Sequence, residues 1–387
     1  MKTTNTLYTS DYILLNGSNF LYSLFATIFI FMPPFLDSIG LSPSHIGFLM
    51  ATGTFVSVAF KPLGGWLADR TNKVIFIIVG AIIASLFTFP WYFVKAPSSM
   101  LYVYRVFQGI GYSFFATFAY AHIASHAPPE RRAEALGVFG LSFFIPTAIG
   151  GWIGEVVIAR FSFSAFFFIG ACIALSSALP ALFMKDRMKT AGIGPSRVLE
   201  VLSRDALVYV LMALIFGITF GGIFTFLPLF LYKGGKDGIF VFLLCYSISV
   251  IATRTVWRKV VDTADKDVSA ILSLSLLSSG AALLTFSGDT PILVVASITT
   301  GIGHGFLFPS LSTLIVETAG RENSGISMAL FTGAFDLGLV FGSAALGIIL
   351  EYGGFPITFF SCGALPLIGV PLLFQKRRKK ESARPVS

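Results

Sequence analysis

Charged residues supply only 12% of this 387-residue chain, about half the share expected of a soluble domain. A water-facing surface on all sides is therefore excluded. Cysteine is nearly absent: Cys172, Cys245 and Cys362 each fall inside an apolar run, without the pair spacing of a disulfide framework or metal site. They read as small core residues. No grouping of His, Cys and carboxylates stands out at metal-ligand spacing, so no metal and no cofactor is expected. The chain has no GxxxxGK[ST] loop to cradle ATP phosphates, which leaves an ion gradient as the energy source for any transport. No Ser-His-Asp arrangement occupies a plausible cleft, and an enzyme is not expected. The opening MKTTNTLYTSDY also lacks the basic start, apolar core and cleavage site of a secretory signal, so residue 1 is expected to remain, in the cytoplasm.

What the chain has is apolar length. It is 55% hydrophobic with 42 phenylalanines, and its mean hydropathy is +0.83. A spanning helix needs about 20 mostly apolar residues, and twelve such runs lie between residues 12 and 374. With the N-terminus inside, twenty of the 27 basic residues fall on the cytoplasmic side and four, Lys95, Arg160, Lys233 and Lys236, on the other. This is the positive-inside asymmetry. It places both termini in the cytoplasm of a cell (inner) membrane and makes the QKRRKK tail an anchor near anionic lipid, with no nucleic acid as partner.

The longest polar interval, residues 185–205, reads as a cytoplasmic linker between an N-terminal six-helix bundle, 1–184, and a C-terminal one, 206–374, followed by a basic tail, 375–387. A repeat supports the division. Lys61 and Asp69 recur as Arg254 and Asp262 at an offset of 193, and GIGYSFF at Gly109 recurs as GIGHGFLF at Gly301 at an offset of 192. The expected fold is all-α and integral to the membrane, with twelve transmembrane helices in two pseudo-symmetric six-helix bundles. Parallel repeats of this kind place a site near the midplane and expose it alternately to each side.

The stretch GGWLADRTNK, Gly64 to Lys73, resembles the loop signature between the second and third helices of the major facilitator superfamily. YRVFQGIGYSFF from Tyr104 is similar to that family's Arg-bearing fourth helix. The resemblance covers the whole chain. One departure is Asn72, where the family usually has Gly; Asn enters the left-handed region readily. The second copy, RTVWRKVVDTADK, keeps Asp262 but has lost the glycines and the Asp-Arg pair.

Gly64 and Gly65 would let two helices approach closely. Asp69 could then face a helix N-terminus, which the resemblance places at the start of the eleventh helix near Ser324. Arg131 or Arg132 could share its carboxylate. Gly65, Asp69, Arg70, Lys73, Arg131 and Arg132 are thus gating candidates, the plainer reading being a solvated, topogenic loop.

Ionisable groups inside spans are functional candidates by default. Lys61 and Arg254 lie near span ends, where they can snorkel, and Asp11 behind Ser10 reads as a first-turn cap. Asp336, about thirteen residues into span eleven, sits near the midplane at roughly 1.5 Å per residue. A carboxylate there is costly to ionise, which makes it the foremost candidate proton carrier; the alternative is a structural hydrogen-bonded Asp. Glu155 either pairs with Arg160 or handles protons. Arg105 needs a buried partner, and the resemblance implies proton relay or substrate binding for it. His304, between two glycines, either couples protons or packs.

Asn16, Asn19, Gln108, Tyr112, Phe220, Phe224 and Phe308 lie on helices that the resemblance arranges around the central cavity. So few polar groups suit an amphipathic substrate. GVFGLSFFIPTAIGGWIGE on span five is similar to a degenerate form of the family's antiporter signature, with Ile145 where a Gly usually precedes the Pro. Monomeric, proton-coupled export of a small organic molecule by alternating access is the expectation, with proton-linked uptake of a metabolite or organic acid the alternative and a non-transporting sensor behind both.

Overall fold

Without water to satisfy them, backbone polar groups in a bilayer must pair within their own segment, so apolar runs of this length form helices. The computed structural model describes residues 8–128, 131–186, 203–235, 238–320 and 323–382. Among these residues there is no strand. The helices are α1 (Ser10–Ala26), α2 (Ile28–Ser38), α3 (Pro43–Ala68), α4 (Lys73–Thr88), α5 (Met100–His126), α6 (Arg132–Leu141), α7 (Phe144–Arg160), α8 (Phe163–Ser176) and α9 (Ala178–Leu182). They continue as α10 (Arg204–Lys233), α11 (Ile239–Thr255), α12 (Arg258–Thr263), α13 (Lys266–Leu283), α14 (Thr290–Ala319) and α15 (Ser324–Ser382).

Nine helical stretches among the described residues are long and apolar enough to cross a membrane. Three of the twelve runs need comment. Helix α5 carries Arg105, Gln108 and two histidines, which lower its hydropathy; α11 has only 17 residues; and α15 joins two runs across Gly354, whose φ of 73° breaks the helix. Only glycine adopts positive φ among the described residues. Asn72 accordingly does not use the left-handed conformation: it is extended, and its Oδ1 accepts the Val74 and Ile75 amides at 2.9 and 3.4 Å as the N-cap of α4. The α1 cap is Thr9 rather than Asp11, whose carboxylate accepts the Lys185 amide at 3.1 Å instead. Of the cysteines only Cys362 is fully buried; Cys172 is exposed.

The helices gather into two compact units, Met1–Leu41 with Thr52–Ile193, and Ser42–Ala51 with Gly194–Ser387. In the first, α4 packs on α5 and α8, and α1 on α7 and α8. In the second, α10 packs most extensively on α15, and α13 on α14 and α15. The first turns of α3 group with the second unit, where Gly47 abuts the backbone of Ser343 and Gly347 and leaves no room for a side chain. Of the 185–205 linker, residues 187–202 lie outside the described set, as do 383–387 of the basic tail.

The internal repeat is written into the contacts. Gly109 of α5 lies against the Gly53 carbonyl, and Gly301 of α14, 192 residues on, lies against the carbonyl of Tyr246, 193 residues after Gly53. Gly111 meets Gly80 and Ala84; Gly303 meets Ser273 and Leu277, at the same offsets. Small residues hold corresponding helices at backbone distance in both copies.

Candidate functional site

In the second unit the sequence candidates on α10 and α14 converge. His304 is buried, and its Nδ1 shares a short hydrogen bond with the Tyr246 hydroxyl of α11. Around the imidazole stand Phe220 at 4.9 Å, Phe216 at 5.3 Å, Tyr246 at 5.8 Å and Phe308 at 6.2 Å between ring centroids. Phe224 extends this wall, 5.3 Å from Phe220 and 5.4 Å from Tyr246. The Arg254 guanidinium lies over the Phe308 ring at 5.5 Å. A polar pair inside an aromatic surround suits a planar or amphipathic group, and aromatic faces also attract cations. Asp336 is half-buried on α15, one residue from Phe335, whose ring stands 4.8 Å from Phe216.

In the first unit Arg105 is buried, its Nη1 donating to Gln108 Oε1 at 3.3 Å and its guanidinium over Phe29 at 4.6 Å. Gln108 Nε2 in turn donates to Thr88 Oγ1 at 2.9 Å. Gly53 is where this guanidinium fits, since a Cβ there would strike it. Asn19 donates to Ser142 Oγ at 2.7 Å, and Asn16 to the Tyr12 carbonyl at 2.8 Å. Tyr112 lies 6.2 Å from Tyr22, which stacks on Phe115. Glu155 is half-buried on α7.

The gating candidates separate. Gly64 packs against Thr117 of α5, whereas a Cβ on Gly65 would meet nothing within 4 Å, so only the first glycine serves a close approach here. Arg70 is exposed, bonded to the Trp66 carbonyl at 3.0 Å and 4.5 Å above its ring; Asp69 beside it is half-buried. Arg131 bonds Glu134 in a two-pronged pair at 2.9 and 2.7 Å, which holds its guanidinium above its ordinary pKa. The side chains of Arg132 and Asp262 lie outside the described set. Lys73 is buried, not solvated: its Nζ is 3.7 Å from Asp186 Oδ1 and its amide donates to Asp186 Oδ2 at 2.7 Å.

Sequence reading missed three partners. Tyr246 is one polar ring in an apolar run. Asp186 is a lone acid in a basic stretch, and its partner lies 113 residues away. The third is His126, which stands one turn from His122 on α5; ligand atoms of these two and of Asp186 lie within 4.8 Å of one another. The expectation of no metal-ligand spacing is thereby corrected. The i,i+4 histidine pair was legible, but the carboxylate that completes it comes from another part of the chain.

At the start of α3, Glu351 of α15 accepts the Ser44 amide and the Ser42 hydroxyl, both at 3.0 Å, while Ser42 Oγ also lies 3.0 Å from His45 Nδ1. A carboxylate at a helix N-terminus is stabilising, and salt weakens it. Glu351→Gln is expected to lower the Tm of purified protein slightly at low salt, with the difference closing as ionic strength rises well above about 0.15 M. A salt-independent difference would show that charge is not what holds this contact.

The Major Facilitator Superfamily profile matches residues 15–268 and 238–387. The Staphylopine export protein of Staphylococcus aureus (strain Mu50 / ATCC 700699) is 23% identical over 389 residues, 95% of either chain. An uncharacterized MFS-type transporter, YhhS of Escherichia coli (strain K12), is 24% identical over 355 residues, covering 89% of this chain and 86% of its own. Among solved structures, the nucleoside transporter NupG superposes with a TM-score of 0.79 at 13% identity, covering 94% of this chain and 98% of its own.

Proposed function

Because the chain belongs to the Major Facilitator Superfamily of membrane transporters, we propose that it is a proton-coupled exporter of a small amphipathic organic molecule, working by alternating access. In this reading it has twelve spans in two six-helix bundles, acts as a monomer and keeps both termini in the cytoplasm. The observation that carries the substrate class is the aromatic surround of the buried Tyr246–His304 pair, which offers large apolar area and one polar contact. Export, rather than uptake, is supported by the export protein that matches along 95% of the chain. Phe220, Phe224 and Phe308, with Asn16, Asn19, Gln108 and Tyr112, are assigned to substrate. Asp336, Arg105, Glu155 and His304 are assigned to proton handling, and Gly65, Asp69, Arg70, Lys73, Arg131 and Arg132 to gating.

The test begins with a thermal-shift screen of metabolites and drugs on the purified protein. Vesicle flux of each compound that binds follows, with and without a pH gradient. The expected outcome is net movement opposite to the proton flow that collapses when the gradient is dissipated. Binding without flux would favour a sensor, and flux in the direction of the protons would favour uptake.

A further inference from the structure

The end of α5 and the residues after α9 build a cluster that none of the transport assignments uses. His122 is 1% exposed, and neither of its ring nitrogens has a hydrogen-bond partner. Oδ1 of Asp186 is likewise buried without a hydrogen bond, 4.0 Å from His122 Nδ1. Buried polar atoms are rarely left so, and each needs an explanation. His126 stacks on His122 with centroids 3.9 Å apart, and its Nδ1 lies 2.9 Å from the His122 carbonyl. A carbonyl only accepts, so a proton on Nδ1 makes this bond and leaves the lone pair on Nε2, while Ser125 Oγ lies 3.1 Å from the same Nδ1. Fixing a tautomer through the second ring nitrogen is how ligating histidines are oriented. The Lys73 amide holds Asp186 Oδ2 at 2.7 Å, which leaves Oδ1 to face the imidazole.

We propose that His122, His126 and Asp186 form a binding site for one divalent first-row metal ion of the Zn2+ type. Two imidazoles and one carboxylate are a donor set that suits Zn2+ and its neighbours, with water as a fourth ligand. At metal–ligand distances of about 2.1 Å, tetrahedral donors sit about 3.4 Å apart. One ligand atom from each of the three side chains already lies within 4.8 Å of the others, so side-chain rotation suffices to close the site. A small pocket lined by Thr9, Tyr12, His122 and His126 adjoins the cluster and supplies the approach. The metal takes a lone pair from each histidine and Oδ1 of Asp186, satisfying a His122 ring and a carboxylate oxygen that are buried without hydrogen bonds. Its rival is the Lys73 ammonium, 3.7 Å from the same oxygen, whose long stem lets it swing away. The Asp11 carboxylate, held by the amide of Lys185 next to Asp186, adds negative charge nearby. A bound ion would tie the segment after α9 to the end of α5, whatever the transported substrate.

The test is isothermal titration of untagged, full-length protein in nanodiscs with Zn2+, alongside Co2+ absorption as a report of coordination. Wild type should bind one Zn2+ per chain, give the intense visible bands of a tetrahedral Co2+ site, and gain Tm with Zn2+. His122→Gln and Asp186→Asn, if their metal-free Tm and elution match wild type, should each weaken binding roughly tenfold or more. Lys73→Met removes the competing cation without touching a ligand and should tighten binding severalfold, which a site elsewhere would not register. Absence of saturable binding in wild type overturns the proposal. So does unchanged affinity in well-folded His122→Gln, or in Lys73→Met should the ligand variants fail to fold.

Discussion

Asp336→Asn is expected to abolish accumulation of substrate against its gradient while sparing exchange of substrate for substrate across the same vesicle membrane. Asp336 stands twelve residues beyond Ser324, the first residue of α15, about 18 Å along the helix axis. A carboxylate that meets water in one state and protein in the other holds its proton with different affinity in each, and that difference is what lets a gradient bias the equilibrium between them. Asparagine keeps the size and loses the titration. Accumulation by the variant with the pH dependence of wild type would move the coupling to Glu155 or His304.

Gly338→Ala should destabilise the second unit by about 1–3 kcal/mol or more, while Gly333→Ala, five residues earlier on the same helix, should leave Tm unchanged or raise it. A methyl group on Gly338 would collide with the Leu214 carbonyl, the Gly217 Cα and the Ile218 amide, all backbone atoms of α10 that cannot turn aside. Gly217, Gly221 and Gly342 complete this seam. At Gly333 the same methyl group meets nothing within 4 Å and gains up to about 1 kcal/mol of helix propensity. Thermal unfolding of both variants in one detergent decides the matter. Equal shifts would mean that the seam is looser than the backbone contacts imply.

Helices, their apolar character and the internal repeat were legible because each is a local or periodic property of the chain. The superfamily match over residues 15–268 and 238–387 agrees with the loop motif at Gly64. The convergence of Phe220, Phe224 and Phe308 on His304 was partly visible, as residues chosen by helix rather than by contact. Tyr246 was not, because nothing in an apolar run tells which side a lone tyrosine faces. Lys73 looked like a trailing loop charge, since sequence cannot show that Asp186, over a hundred residues on, closes over it. Asn72 was read through its tolerance of left-handed backbone, when its side chain's ability to cap α4 was the property in use.

The joint between α3 and α5, and its counterpart between α11 and α14, also bears on how substitutions combine. In the first copy Gly53 leaves room that the Arg105 guanidinium enters from α5. In the second copy Tyr246 occupies the matching position, and Ser297, 192 residues after Arg105, has withdrawn to bond its own backbone. A side chain gained at position 53 would meet the far end of the flexible Arg105 side chain, so the guanidinium rather than the backbone of α5 would have to give way. Changes at positions 53 and 105 are therefore expected to be non-additive, because each alters the contact that the other makes.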